Sequence, residues 1–72
     1  MKRFFRIHLF GEQSVWFDMP AENIELSNFI SIMQAAGYIA TENYWINAKA
    51  VKFIGVIQAE TAQITPFTPK VV

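Results

Sequence analysis

His8 is the only side chain in this 72-residue sequence whose ordinary pKa lies near neutrality, which makes it the first candidate for a general base. No nucleophile accompanies it, because the sequence has no cysteine and no serine in a G-x-S-x-G motif. A histidine on the less apolar side of a strand is the simpler interpretation. We therefore predict that the protein has no catalytic residue and is not an enzyme.

Three acidic residues, Asp18, Glu22 and Glu25, are spaced closely enough to suggest paired carboxylates or a site for a hard metal ion. Such sites need carboxylates in different environments across a cleft, or several oxygen ligands converging on one ion. Acids at the entry of a helix, where they interact with its dipole, explain the same spacing more simply. One histidine without thiols does not make a zinc site. The sequence predicts no metal and no cofactor.

Basic residues interleaved with aromatic ones can bind single-stranded nucleic acid, because bases stack on exposed rings while cations neutralise phosphate. The basic candidates for such a surface are Lys2, Arg3, Arg6, Lys49 and Lys52. A net charge of zero and the absence of a recognisable RNA-binding motif weigh against this function. The alternative hypothesis is therefore a small nucleic-acid-binding or regulatory module that uses the basic, aromatic face of the first strand, and protein binding is the main hypothesis.

The apolar content is high for so short a chain. Hydrophobic residues make up 53% of the sequence and aromatic residues 15%. A domain of about 60 to 70 residues buries only about 60% of the surface that its unfolded chain exposes. With no cysteine to form a disulfide, we expect stability to come from a dense core or from a partner subunit.

The stretch from Leu26 to Gly37 is the only one with a clear helical period. Its apolar members recur at three- and four-residue steps and form one stripe: Leu26, Phe29, Ile30, Met33 and Ala36. Gly37 can adopt the left-handed conformation that commonly ends a helix. We predict that the helix begins between Pro20 and Ile24, close to the acidic residues, and ends at Gly37.

The remaining segments alternate as strands do, and Asn47 to Ala50 predicts a single helical turn or bulge. The predicted strands are Phe4 to Phe10, Val15 to Phe17, Tyr38 to Thr41, Tyr44 to Ile46 and Val51 to Ala59, with turns at 11–14 and 42–43. The fold class is therefore α+β, a two-layer sandwich with one α-helix packed on a mainly antiparallel sheet in the order β-β-α-β-β-β.

Strand alternation assigns each residue to a face of the sheet. The side predicted to face the helix carries Phe5, Ile7, Leu9, Val15, Phe17, Ile46, Val51, Phe53 and Ile57. The side predicted to be open carries the candidate interface residues Phe4, Arg6, His8, Phe10, Trp16, Trp45, Ile54 and Val56. This is too much apolar surface to remain exposed to water, so we predict an interface, first of all in a homodimer. The alternative is that the C-terminal arm folds back over this face.

We predict a single domain over residues 1–60 and an extended tail or arm over residues 61–72, either loose or docked on another subunit. Two prolines make that last stretch a poor strand. The start, MKRFFRIHLF, resembles a secretory signal, but Arg6 and His8 interrupt its apolar run, so we interpret it as a strand. No apolar run approaches the ~20 residues that span a bilayer. The expected location is the cytoplasm, and the expected partners are a second copy and possible other proteins.

Overall fold

The computed structural model describes residues 1–11, 14–41 and 45–65, and it confirms the α+β class with the predicted element order. The elements are β1 (Lys2–Leu9), β2 (Val15–Pro20), α1 (Leu26–Ala36), β3 (Tyr38–Ala40), β4 (Trp45–Asn47) and β5 (Val51–Ala59). A 3-10 turn at Ala48–Ala50 confirms the predicted helical turn before β5. Part of the first predicted turn, residues 12–13, lies outside the described residues, as do the whole second turn at 42–43, Tyr44 of the predicted strand after it, and the last residues, 66–72.

β1 is the central strand of a three-stranded antiparallel sheet in the order β2-β1-β5. Residues opposite each other across these pairs share a face, so Ile7 lies on the same side as its partners Phe17 and Ile54. β3 and β4 form a separate two-stranded antiparallel sheet in which Ile39 lies opposite Ile46. The long first strand thus holds the sheet together.

α1 lies against one face of this sheet, as the apolar stripe predicts. Met33 is buried, and Leu26 and Phe29 pack against the core. The ring of Phe29 lies 4.8 Å from that of Phe5 on β1. The buried cluster beneath the helix consists of Phe5, Ile7, Phe17, Ala21, Met33 and Ile39. This is the hydrophobic core, and it is small.

The end of α1 is confirmed and its predicted start is wrong. Gly37 adopts a left-handed φ of 83°, and its N–H donates to the carbonyl of Met33 at 2.8 Å. The helix begins at Leu26, after the predicted window, with Glu25 in an extended conformation before it. The guanidinium of Arg3 donates to the carbonyls of Ala21 and Ile24. These contacts hold the segment before Leu26 against β1 instead of in a helical turn.

A β-bulge lies near the start of β5. His8 lies opposite Phe53, whereas the next residue, Leu9, lies opposite Val51. Lys52 is therefore an extra residue with no counterpart on β1. A bulge of this kind reverses the alternation of faces beyond it, and strict alternation along the sequence does not reveal it.

The bulge overturns four face assignments. The predictions that Phe53 and Ile57 face the helix are wrong, because both lie on the opposite side of the sheet. The predictions that Ile54 and Val56 lie on the open side are also wrong. Ile54 lies opposite Ile7 and packs against the core, and Val56 lies on that same side with 45% of its surface exposed.

The described part of the predicted tail lies along the outer edge of β2. Phe17 and Ile64 form an antiparallel bridge, the N–H of Asp18 donates to the carbonyl of Gln63 at 2.8 Å, and the N–H of Thr65 donates to the carbonyl of Trp16 at 3.0 Å. Residues 63–65 therefore cover this edge of the sheet from within the same chain.

Candidate interaction surface

The face of the three-stranded sheet that points away from α1, here called the open face, combines charged and aromatic side chains. The register places on it Phe4, Arg6 and His8 of β1, Trp16 and Asp18 of β2, and Phe53, Gly55 and Ile57 of β5. Sequence alternation predicted the β1 members and Trp16. It assigned Phe53 and Ile57 to the other face.

Arg6 and Asp18 form a two-pronged ion pair at the centre of the open face. The Nε of Arg6 donates to Oδ1 of Asp18 at 2.9 Å, and its second terminal nitrogen donates to Oδ2 at 3.1 Å. The Asp18 side chain is fully enclosed, and its Oδ2 also accepts the N–H of Gln63 at 3.0 Å. This hydrogen bonding to Asp18 raises the pKa of Arg6, although burial opposes the effect. The pair is therefore a fixed part of the surface.

Trp16 is held between this ion pair and the C-terminal arm. The guanidinium carbon of Arg6 lies 3.7 Å from the centre of the Trp16 ring, a close cation–π contact. On the backbone side, the N–H of Trp16 donates to the hydroxyl of Thr65 at 2.7 Å, and that hydroxyl donates back to the Trp16 carbonyl at 2.9 Å. One face of the indole is thus already occupied by Arg6.

His8 lies beside this cluster in an aromatic environment. Its ring stacks on that of Phe53, with the centres 4.0 Å apart and the planes 18° from parallel. Burial lowers the pKa of His8, and the cations of Arg6 and Lys52 lower it further, while Asp18 acts weakly in the opposite direction. We therefore expect the imidazole to be uncharged at neutral pH.

A shallow cleft of about 450 Å³ lies at the end of the open face, next to His8. Its lining includes Phe10, Trp16, Lys52 and Phe53. Phe10 is 64% exposed and Phe53 is 52% exposed. This is the most accessible aromatic surface on the open face.

Phe4 lies on the open face but is only 3% exposed. The chain leaves β5 at Ala59, which is opposite Lys2, and reaches the far side of β2 at Gln63. At that point the N–H of Gln63 donates to the side chain of Asp18, which lies on the open face. The arm is therefore bound to a side chain of this face, which agrees with the alternative that the sequence left open for it.

Comparisons of the chain with protein-family models, with curated proteins and with solved structures returned no match. Its function must therefore be inferred from its own residues. Among the described residues, no group of three or more histidine, cysteine, aspartate or glutamate side chains could hold a metal ion. In the same part of the chain, no helix has the length and apolar character needed to cross a membrane.

The predicted interface set does not form one surface. Arg6, His8 and Trp16 lie together on the open face, and Phe10 lies at its end. Phe4 belongs to the open face but is covered, which removes it as a contact residue in the free surface. The two β5 residues Ile54 and Val56 lie on the helix side, as described above.

Trp45, the remaining member of the predicted set, belongs to the small sheet. It is 66% exposed on β4 and stacks on Tyr38 of β3, with ring centres 5.5 Å apart. Tyr38 in turn lines a small groove with Ile32 of α1, which is 66% exposed. This second apolar patch lies apart from the open face.

The predicted nucleic-acid residues are also separated. Arg3 is bound to the carbonyls of Ala21 and Ile24, and Arg6 is bound to Asp18. Of the lysines, Lys52 lies near one of these arginines, since it lines the cleft beside His8 and Trp16. Lys49 and Lys52 line a cleft between β5 and α1, and Lys2 lies opposite Ala59 at the other end of the sheet.

Sequence reasoning missed the structural role of Asp18, which it assigned to the helix entry. The signal was available in the first hairpin, because antiparallel pairing of its two strands places Asp18 opposite Arg6, and opposite charges across a strand pair stabilise it. Phe53 and Gln63 had no such signal. Their positions depend on the bulge and on the path of the arm.

Proposed function

We propose that this protein is a small protein-interaction and self-association domain without enzymatic activity, and that its first partner is a second copy of itself. One observation carries the proposal. Among the described residues, seven hydrophobic residues are buried, whereas nine large hydrophobic residues are exposed. Scattered exposed hydrophobic residues are ordinary, but a small domain that exposes more of them than it buries has surface suited to an interface.

The exposed apolar side chains are also grouped, which supports the proposal further. Phe10 and Phe53 line the same cleft on the open face. Tyr38 and Trp45 stack on each other at the small sheet. Both groups offer apolar surface that a second copy or a different protein can cover. We propose the cytoplasm as the location, on the basis of the cysteine-free sequence alone.

The test is light scattering coupled to size exclusion on the wild-type protein, from low micromolar to near-millimolar concentration. We expect a mass of twice one chain at the higher concentrations, with dissociation on dilution. A mass of one chain over the whole range would contradict self-association. The variant Ser27→Lys, at an exposed helix position, controls for the effect of an added surface charge on elution.

A further inference from the structure

In the part of the chain that the structure describes, the outer edge of β5 has no partner strand. Residues 63–65 cover the outer edge of β2, whereas no described residue pairs with the outer edge of the nine-residue β5. A strand edge of this length presents a row of unpaired backbone N–H and C=O groups that readily accept another strand. The two edges of the sheet therefore differ: residues 63–65 cover one, and no strand among the described residues pairs with the other.

The regular part of β5 runs from Phe53 to Ala59. It begins after the bulge at Lys52 and ends before Glu60, and it contains no charged residue and no proline. Proteins commonly protect an open edge with lysine, proline or a bulge within the strand. In β5 the lysine and the bulge both occur at position 52, before the regular part begins. Seven consecutive residues can therefore pair with a partner strand.

The backbone restricts how this strand can pair with its own copy in an antiparallel arrangement. Opposite residues must both point their backbone groups towards the partner or both away from it. Because this direction alternates from one residue to the next along a strand, two opposite residues must be an even number of positions apart in the sequence. A strand therefore pairs with its copy only in registers that place one residue opposite itself. The middle residue of the regular stretch is Val56, and the register centred on it uses all seven residues.

Charge complementarity favours this same register. With Val56 opposite itself, Lys52 of each copy lies across from Glu60 of the other. Neither residue forms an ion pair with another described residue in the single chain. The neighbouring register, centred on Gly55, would place Lys52 across from Gln58 and leave both charges without a partner. Centring on Ile57 would place Glu60 across from the apolar Ile54.

We propose that two copies join through the outer edges of β5, antiparallel, with Val56 on the two-fold axis; this inference rests on the proposed self-association. The three-stranded sheets then form one six-stranded sheet. A two-fold axis perpendicular to the sheet keeps both helices on the same side. Val56, now 45% exposed, packs against its counterpart, and an ion pair between Lys52 and Glu60 closes each end.

Single-cysteine variants test the register, because the natural sequence contains no cysteine. In Val56→Cys the two introduced thiols would lie directly opposite, with Cα atoms about 4.5 to 5.5 Å apart, within the range of a disulfide. Val56→Cys should therefore form a covalent dimer rapidly when oxidised with diamide. Circular dichroism verifies that each variant is folded.

Two matched variants serve as controls. Gln58→Cys lies on the same face of the strand, but its thiols would be separated by about four residues, roughly 13 Å, so it should cross-link no faster than random collision allows. Gly55→Cys reports the neighbouring register. A Cβ added at Gly55 meets no atom within 4 Å, so we expect this variant to fold.

A charge exchange provides a second measurement. Lys52→Glu creates two like-charge contacts in the dimer and should weaken association by about twofold to thirtyfold. Glu60→Lys should do the same, and the double variant should restore the wild-type dissociation constant. Failure of the double variant to restore association would contradict the Lys52–Glu60 pairing.

The outcomes separate the two proposals. A wild-type protein that stays monomeric overturns both the self-association and the β5 interface. A dimer in which Val56→Cys links no faster than Gln58→Cys overturns the β5 interface and leaves self-association standing. Faster linkage of Gly55→Cys than of Val56→Cys overturns the register.

Discussion

At the scale of single residues, Arg6 shows how position determines the role of a cation. An arginine in a basic, aromatic strand is well suited to bind phosphate. Here two of its five N–H donors are bound to Asp18, and one face of its guanidinium lies on Trp16. Asp18 is fully enclosed and needs these donors, because an enclosed carboxylate without partners is strongly unfavourable. The pair stabilises the hairpin and leaves little of Arg6 for a ligand.

His8 gives this surface a pH dependence. Its pKa is lowered from 6.5 in the folded protein, so the unfolded chain takes up a proton first as the pH falls. The free energy of unfolding should therefore decrease as the pH falls from neutrality through 6.5, because the contribution of His8 is fully present only above its unfolded pKa. His8→Phe keeps an aromatic ring against Phe53 and removes the titration.

Urea unfolding at fixed protein concentration, at several pH values, checks this expectation. The wild type should lose more stability than His8→Phe over that interval. Equal losses in the two proteins would show that His8 protonation does not contribute and that other groups cause the acid dependence.

At the scale of elements, the apolar stripe of α1 predicts different stability losses for substitutions on its buried and exposed sides. Phe29→Ala removes the ring that packs on Phe5, and Met33→Ala removes the buried residue of α1. Each should lower the free energy of unfolding by about 2 to 5 kcal/mol, through lost apolar burial and the cavity that remains. Gln34→Ala, at an exposed position on the same helix, should have almost no effect. Thermal or urea unfolding measures all three, and equal shifts for Gln34→Ala and Phe29→Ala would refute the assigned face.

The elements that could be predicted from the sequence are those determined by residues within the element itself. The stripe and Gly37 specify the body and the end of α1, and alternation specifies the faces of β1. The start of α1 could not be predicted, because Arg3, far away in sequence, binds the carbonyls that would have extended the helix. The predicted faces of β5 were wrong for a similar reason, because the bulge at Lys52 depends on the pairing with β1.

The candidate surface was predictable to the same extent. Arg6, His8 and Trp16 follow from alternation in the first hairpin, and they lie together as expected. The burial of Phe4 and the enclosure of Asp18 could not be predicted in this way. Asp18 accepts a hydrogen bond from Gln63, and the path of the arm has no periodic signal in the sequence. The open edge of β5 becomes visible only with the strand order, because alternation does not say which strands lie at the edges.

At the scale of the whole molecule, the distribution of charge bears on the alternative function. β1 and β5 are neighbours, which brings most of the basic residues to adjacent strands. Within them, Arg3 and Arg6 are bound internally, and the exposed lysines Lys2 and Lys52 lie near opposite ends of the sheet. The net charge is zero, and the described residues form no continuous basic surface for a phosphate backbone.

We therefore expect weak binding of single-stranded DNA or RNA, with no saturation at micromolar protein in physiological salt. Any binding at low salt should weaken as salt is added, with a shallow slope, because only a few separate lysines would contact phosphates. Arg3→Ala with Arg6→Ala is a poor probe, since loss of their internal hydrogen bonds should unfold the protein. Lys2→Ala with Lys49→Ala changes only exposed side chains and should leave stability intact. Fluorescence anisotropy with a labelled oligonucleotide measures both proteins. Micromolar affinity in physiological salt that the lysine variant loses would rank nucleic-acid binding above self-association. Affinity of that strength would require the lysines to act together as one site.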